Sequence, residues 1–386
     1  MTDLQNTPED FSIASKEDVL QALSQIKDPD LGRDIVELGF IKNLRICGPN
    51  VAFSIELTTP ACPVKDQMHQ AARDFVGALP GIKNVAVEMT AQTRQPYNPQ
   101  QALPGVKNAI AVASGKGGVG KSTTAVNLAI ALSQTGAQVG LLDADIYGPS
   151  IPIMLGVQDG EQPLGEDTPE GQRLYPLERH GIKLMSIGFL TEKANPIVWR
   201  GPMVGKMIQT FLSSVVWGEL DYLIIDLPPG TGDTQLTLCQ SAPLSGAVIV
   251  TTPEAVALED VIRAGRMFEK LAAGGIAVPI LGVVENMAWY ETPQGERIYL
   301  FGEGGGQTAA EAFNVPLLGQ VPRVMEITRG GDRGLPITVT DADSPSGQIY
   351  REIAGGVARR VATIAMKSSF NRANLKTAEE KVGTNS

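Results

Sequence analysis

Two kinds of apolar pattern alternate along most of the chain. Short unbroken runs, Ala109-Ile110-Ala111-Val112-Ala113, Leu223-Ile224-Ile225 and Gly246-Ala247-Val248-Ile249-Val250, predict strands buried on both faces. Between and after them come segments of helical spacing. These are Thr124 to Leu132, the stretch carrying Leu258, Val261, Ile262 and Phe268, and a last one with Ile349, Ile353, Val357, Val361 and Ile364 along one stripe. Strands alternating with helices predict an α/β fold with a mostly parallel, doubly wound sheet over residues 107–366.

Residues 15–92 follow a different pattern and predict a small α/β domain of their own. Ser15-Lys16-Glu17-Asp18 has the form of a capping box, and Val19, Leu20, Leu23 and Ile26 then share a helix face until Asp28-Pro29-Asp30 breaks it. Val51, Phe53, Ile55 and Leu57 alternate as in a half-buried strand, a helix is expected from about Pro63 to Ala78, and Val85, Val87 and Met89 alternate again. From 93 to 106 no period survives among Pro96, Pro99 and Pro104-Gly105, so a linker is expected. The polar ends, 1–14 and 367–386, are expected to be disordered, and the polar stretch 158–176 to be a surface loop.

Composition narrows the classes. A chain of 386 residues, 43% apolar, has room for both domains. A net charge of −10 argues against non-specific binding to nucleic acid, and no apolar run approaches membrane-spanning length. Three cysteines without regular spacing make no disulfide framework and point to a reducing compartment. The polar N-terminus is unlike a signal or transit peptide, so the cytoplasm is the expected location. Neither nucleic acid nor membrane is an expected partner.

Strand, glycine-rich loop and helix meet at Ser114. Gly115, Lys116, Gly117, Gly118, Val119, Gly120, Lys121, Ser122 and Thr123 satisfy the G-x-x-x-x-G-K-S spacing of a phosphate-binding loop. Glycines let successive N–H groups curl around phosphate oxygens, and the helix N-terminus adds partial positive charge. Lys121 is placed for the β- and γ-phosphates of ATP, and the Ser122 hydroxyl for Mg²⁺. Two further strands end in carboxylates. Leu141-Leu142-Asp143-Ala144-Asp145 brings a pair to the sheet edge where ligands bind. Leu223-Ile224-Ile225-Asp226 supplies the Mg²⁺-side carboxylate, and Pro228-Pro229-Gly230 makes a turn whose Gly230 N–H is a candidate γ-phosphate sensor. Asp143 is open to a Mg²⁺-side or a structural role.

These motifs occur in one order. Taken with Asp143-Ala144-Asp145-Ile146-Tyr147-Gly148-Pro149-Ser150, Trp199-Arg200-Gly201-Pro202, Asp226 to Asp233 and Glu285-Asn286-Met287, they resemble the Mrp/ApbC family of iron–sulfur carrier ATPases, within the deviant-Walker P-loop NTPases. Asp28-Pro29-Asp30-Leu31, Asp34 to Gly39 and Thr58-Thr59-Pro60-Ala61-Cys62-Pro63 resemble the small domain of SufT-like iron–sulfur maturation factors. The resemblance implies an ATP-hydrolysing homodimer that assembles or delivers clusters, [4Fe–4S] by analogy, between scaffold proteins and apoproteins. It further implies that Lys116 crosses to the partner's nucleotide, that Asp145 orients the attacking water and that Asn286 reads the adenine edge, with Gln320 to Arg323 covering the base. Many members carry Cys-x-x-Cys after the Asn-Met pair, and here Tyr290 to Glu296 has none. Cys62 and Cys239 remain as candidate cluster ligands. A helix cap and a buried core position are the rival explanations of the two. The alternatives to a carrier are a MinD- or ParA-like positioning ATPase and an ATP-switched adaptor that recruits clients without a cluster.

Overall fold

The structure, a computed structural model, describes residues 14–62, 64–93, 103–146, 148–169, 171–189, 211–230, 232–292 and 294–383. The chain divides into two compact units, Met1–Thr93 and Arg94–Ser386.

In the first unit α1 (Lys16–Leu23) starts at the expected capping box, Ser15 Oγ accepting from the Asp18 N–H while the Asp18 carboxylate accepts from the Ser15 N–H. Among the described residues, β1 (Ile41–Cys47), β2 (Asn50–Leu57) and β3 (Asn84–Ala91) form a sheet in that order. β1 and β2 are antiparallel, β2 and β3 parallel, and α2 (Lys65–Gly77) makes the crossover. Val51, Phe53, Ile55 and Leu57 lie buried with Met68, Ala72 and Val76 of α2, which is the core their alternation predicts.

The second unit is built on nine strands among the described residues. They are β4 (Val106–Ser114), β5 (Val139–Asp143), β8 (Leu177–Arg179), β9 (Ile182–Ser186), β10 (Leu220–Asp226), β11 (Leu244–Thr251), β12 (Ile280–Glu291), β13 (Arg297–Ile298) and β14 (Leu317–Arg323). The sheet order is β13-β12-β11-β4-β10-β5-β9-β8, with β14 also on β12; β8 and β13 run antiparallel to the rest. One face of the sheet presents Ala109, Ala111, Ala113, Leu223, Ile225, Ala247 and Ile249 to α5 (Asp233–Ser241) and α6 (Ala255–Ala273), through Leu238, Val261, Phe268 and Leu271. The opposite face is covered by α3 (Lys121–Ser133) and α10 (Pro345–Gly383). Short helices α4 (Ile151–Met154), α7 (Gly305–Ala312), α8 (Met325–Asp332) and α9 (Ile337–Thr340) complete the layers. Helices on both faces of a parallel sheet are what the continuous apolar runs require.

Three expectations need correction. The stretch 158–176 is not a plain loop but carries an antiparallel hairpin, β6 (Leu164–Thr168) with β7 (Gly171–Tyr175). Nearly every residue of that hairpin is exposed, so no apolar alternation marks it. The linker is shorter than expected at its far end: Leu103 packs into the second unit's core and β4 begins at Val106. The last helix runs on to Gly383, past the Met366 end of its apolar stripe. Residues 199–203 lie outside the described residues.

Candidate functional site

β4 ends in Ser114 at the C-terminal edge of the sheet, and α3 begins at Lys121 six residues beyond Gly115. Two glycines in the intervening loop are required by their neighbours. A Cβ on Gly115 would sit 2.3 Å from the Asp260 carbonyl carbon of α6, so the loop lies directly on that helix. Gly120 has φ +84°, and a Cβ there would sit 2.0 Å from Asn286 Nδ2. That amide in turn donates to the Val119 carbonyl at 2.8 Å. Asn286, on β12, therefore ties the loop to the sheet as well as facing the space above it.

The floor of the site is charged and almost dry. Lys121 is 6% exposed; its Nζ donates to Asp226 Oδ1 at 2.7 Å and lies 3.5 Å from Asp145 Oδ2. Ser122 Oγ donates to the other Asp226 oxygen at 2.5 Å. Burial pushes the Asp226 carboxyl above its ordinary value, and the Lys121 ammonium pulls against that. Asp143, the register partner of Asp226 on the next strand, has no ion pair among the described residues. Its Oδ2 accepts from Ser186 Oγ at 3.0 Å and the Ile151 N–H at 3.3 Å, its Oδ1 from the Asp145 N–H at 3.2 Å. Burial, then the neighbouring Asp226, raise it to about 7. Asp143 is thus a structural brace that fixes the turn carrying Asp145 and the start of α4.

The rim differs. Lys116, about one third exposed, pairs with Glu254 at 3.2 Å. The hydroxyl of Thr252 and the Lys116 ammonium hold Glu254 below its usual carboxylate value. Floor and rim enclose a cavity of about 420 Å³ lined by the loop, Asp145, Asn286, Met287, Pro322 and Arg323. Of the expected Gln320 to Arg323 segment, Pro322 and Arg323 line this cavity, while Gln320 donates to Glu285 at 2.7 Å. Sequence reasoning missed the wall supplied by α8 (Ile327, Thr328, Gly331 and Asp332), which has no buried residue to give it a periodic signal. It also missed Glu254, whose only signal was its place just beyond the end of a buried strand, as α6 begins.

Two of the expected residues have other contacts. The Gly230 N–H donates to the Ser114 carbonyl at 3.1 Å, which pins the turn to the loop. Cys239 is fully buried among apolar neighbours, which pushes its thiol up to about 12. Cys62 is half-buried and Cys47 exposed, and none of the three forms a disulfide. Among the described residues no group of three or more His, Cys, Asp or Glu side chains is placed to hold a metal ion, and no helix is long and apolar enough to cross a membrane.

A glycine cradle at a helix N-terminus, with lysine, serine and a strand-end carboxylate converging on it, defines a P-loop NTPase. The family described as NUBPL iron-transfer P-loop NTPases matches residues 105–358, and the iron–sulfur cluster assembly protein family matches residues 16–89. An iron–sulfur cluster carrier protein of Synechocystis sp. is 48% identical over 352 residues, which is 90% of this chain and 98% of that protein. The chloroplastic Fe–S cluster assembly factor HCF101 of Arabidopsis thaliana is 46% identical over 366 residues, 94% of this chain and 67% of its own length. A nucleotide-binding protein of Archaeoglobus fulgidus, solved in complex with ADP, is 42% identical with a TM-score of 0.50, over 61% of this chain and 89% of that one. This chain belongs to the Mrp/ApbC group of NUBPL-type P-loop NTPases, with an iron–sulfur assembly domain ahead of the ATPase.

Proposed function

We propose that this protein is an ATP-hydrolysing homodimer of the cytoplasm that takes an iron–sulfur cluster as cargo and hands it to apoproteins. The observation that carries the ATPase part is the Lys121–Asp226–Ser122 cluster beneath the glycine loop. Its hard oxygens suit Mg²⁺, which Ser122 and Asp226 would hold and which would neutralise phosphate charge. Lys121 leaves the carboxylates to meet the β- and γ-phosphates, and Asp145 accepts a hydrogen bond from the attacking water. Asn286 and the Pro322-Arg323 segment flank the base. Lys116 exchanges Glu254 for the nucleotide of the second copy, adding a cation where charge develops. Turnover of this kind is slow, because it waits on the partner's lysine.

The cargo assignment is supported by the carrier names of the relatives. Cys62 is the ligand candidate left by the burial of Cys239. Anaerobic reconstitution with iron and sulfide, followed by transfer to an apo-acceptor, tests it. Expected are cluster uptake that Cys62→Ala lowers and Cys239→Ala leaves alone, and transfer that responds to ATP. Absence of both uptake and transfer would overturn the carrier role. The segment Tyr290 to Glu296, which carries no cysteine, supports one second reading, an adaptor whose ATPase switches client binding. Client capture that is ATP-dependent and indifferent to iron would select it.

A further inference from the structure

The sheet of the first unit has two edges, and they are built unlike one another. β1 is broken by a register shift between Lys42 and Arg45, with Asn43 at φ +53° in the left-handed region and both cations exposed. A bulge and edge charges are what prevent a strand from recruiting another. β3 has neither. It pairs with β2 through eight consecutive residues without a shift, Asn50 opposite Asn84 to Leu57 opposite Ala91. It contains no Pro, Lys or Arg, and its far side has no strand partner among the described residues.

A cavity of about 700 Å³ wraps this edge, lined by Val85 to Glu88 of β3 together with His69 and Arg73 of α2 and Arg45 of β1. Among the described residues, none of these three basic side chains has an ion pair or side-chain hydrogen bond. The one acid of the lining, Glu88, is engaged by the Ser54 hydroxyl at 3.2 Å. An open backbone edge beside Arg45 and Arg73, which have no ion pair among the described residues, fits one kind of occupant.

We propose that β3 takes an extended acidic segment of a partner protein as a fourth strand, its backbone pairing with β3 and its carboxylates meeting Arg73 and His69. The proposal stands apart from the cargo question, since it involves neither iron nor nucleotide.

The test uses the full chain and two labelled peptides of about seven residues, one alternating valine with glutamate, the other valine with lysine. Fluorescence anisotropy is expected to show binding of the glutamate peptide alone, weakened about tenfold by Arg73→Glu. Hydrogen exchange is expected to slow at residues 84–91 when that peptide is added, and ATP turnover to stay unchanged in the variant. Equal binding of both peptides, indifference to Arg73→Glu, or unaltered exchange at 84–91 would each overturn the proposal. So would self-association of the full chain that Ala86→Lys abolishes, since the edge would then belong to a second copy.

Discussion

The phosphate loop carries two lysines five residues apart, and their surroundings are opposites. Lys121 sits on the floor at 6% exposure against two carboxylates. Lys116 stands on the rim, its side chain about one third exposed, against Glu254. A buried cation between buried carboxylates cannot leave without stranding charge in a low-dielectric setting, so Lys121 is committed until a phosphate replaces Asp226 and Asp145. A rim pair gains little over its solvated partners and is screened by salt, so Lys116 is free to be recruited elsewhere. One loop thus holds a fixed cation and a releasable one. The same contrast divides the two register-matched aspartates, Asp226 with its lysine and Asp143 with hydrogen bonds and no ion pair among the described residues.

The sharpest way to break the contrast is Lys121→Ala. ATP turnover should fall at least about a hundredfold, and thermal unfolding should show a loss of about 3 kcal/mol because Asp226 and Asp145 are left without their cation. A variant as stable as the parent would mean that the floor is wetter than it looks. Asp226→Asn comes next. Magnesium-dependent turnover should drop about a hundredfold while nucleotide binding, followed with a fluorescent analogue, persists. Lys116→Ala should leave that binding intact and lower hydrolysis about tenfold or more; unchanged hydrolysis would overturn the role across a dimer proposed for the rim lysine.

Asp143→Asn should have the smallest effect, and one that depends on pH. The Asp143 carboxyl, ordinarily at 3.8, is raised to about 7 in the fold. Between those values the folded chain keeps a proton that the unfolded chain has released. The stability this proton brings is complete below the unfolded value and is lost as pH climbs through about 7. The uncharged variant should therefore gain on the parent between about pH 4 and about pH 7 in denaturant titrations. A constant offset at both pH values would mean that Asp143 stays ionised in the fold.

Much of the fold was legible because burial on both faces of a parallel sheet leaves continuous apolar runs, as at Ile110 to Ala113 and Leu223 to Ile225. The β6–β7 hairpin was illegible because exposure on both faces leaves no pattern to read. Of the site, the cradle was legible because its glycines and Lys121 have one spacing that works. α8 was not, since it contributes walls through position alone.

By itself the sequence determined the P-loop cradle, the strand-end carboxylates and the two-part plan, because local spacing fixes which backbone and side-chain groups reach one phosphate-sized space. Only the tertiary structure decided how each charge is used. It put Asp226 under Lys121 and left its neighbour Asp143 to brace a turn, gave Lys116 to Glu254, spent the Gly230 N–H on Ser114 and buried Cys239. The pairs of Lys121 with Asp226 and Lys116 with Glu254 join residues more than a hundred positions apart and depend on the water removed when they meet, and neither is written in local spacing.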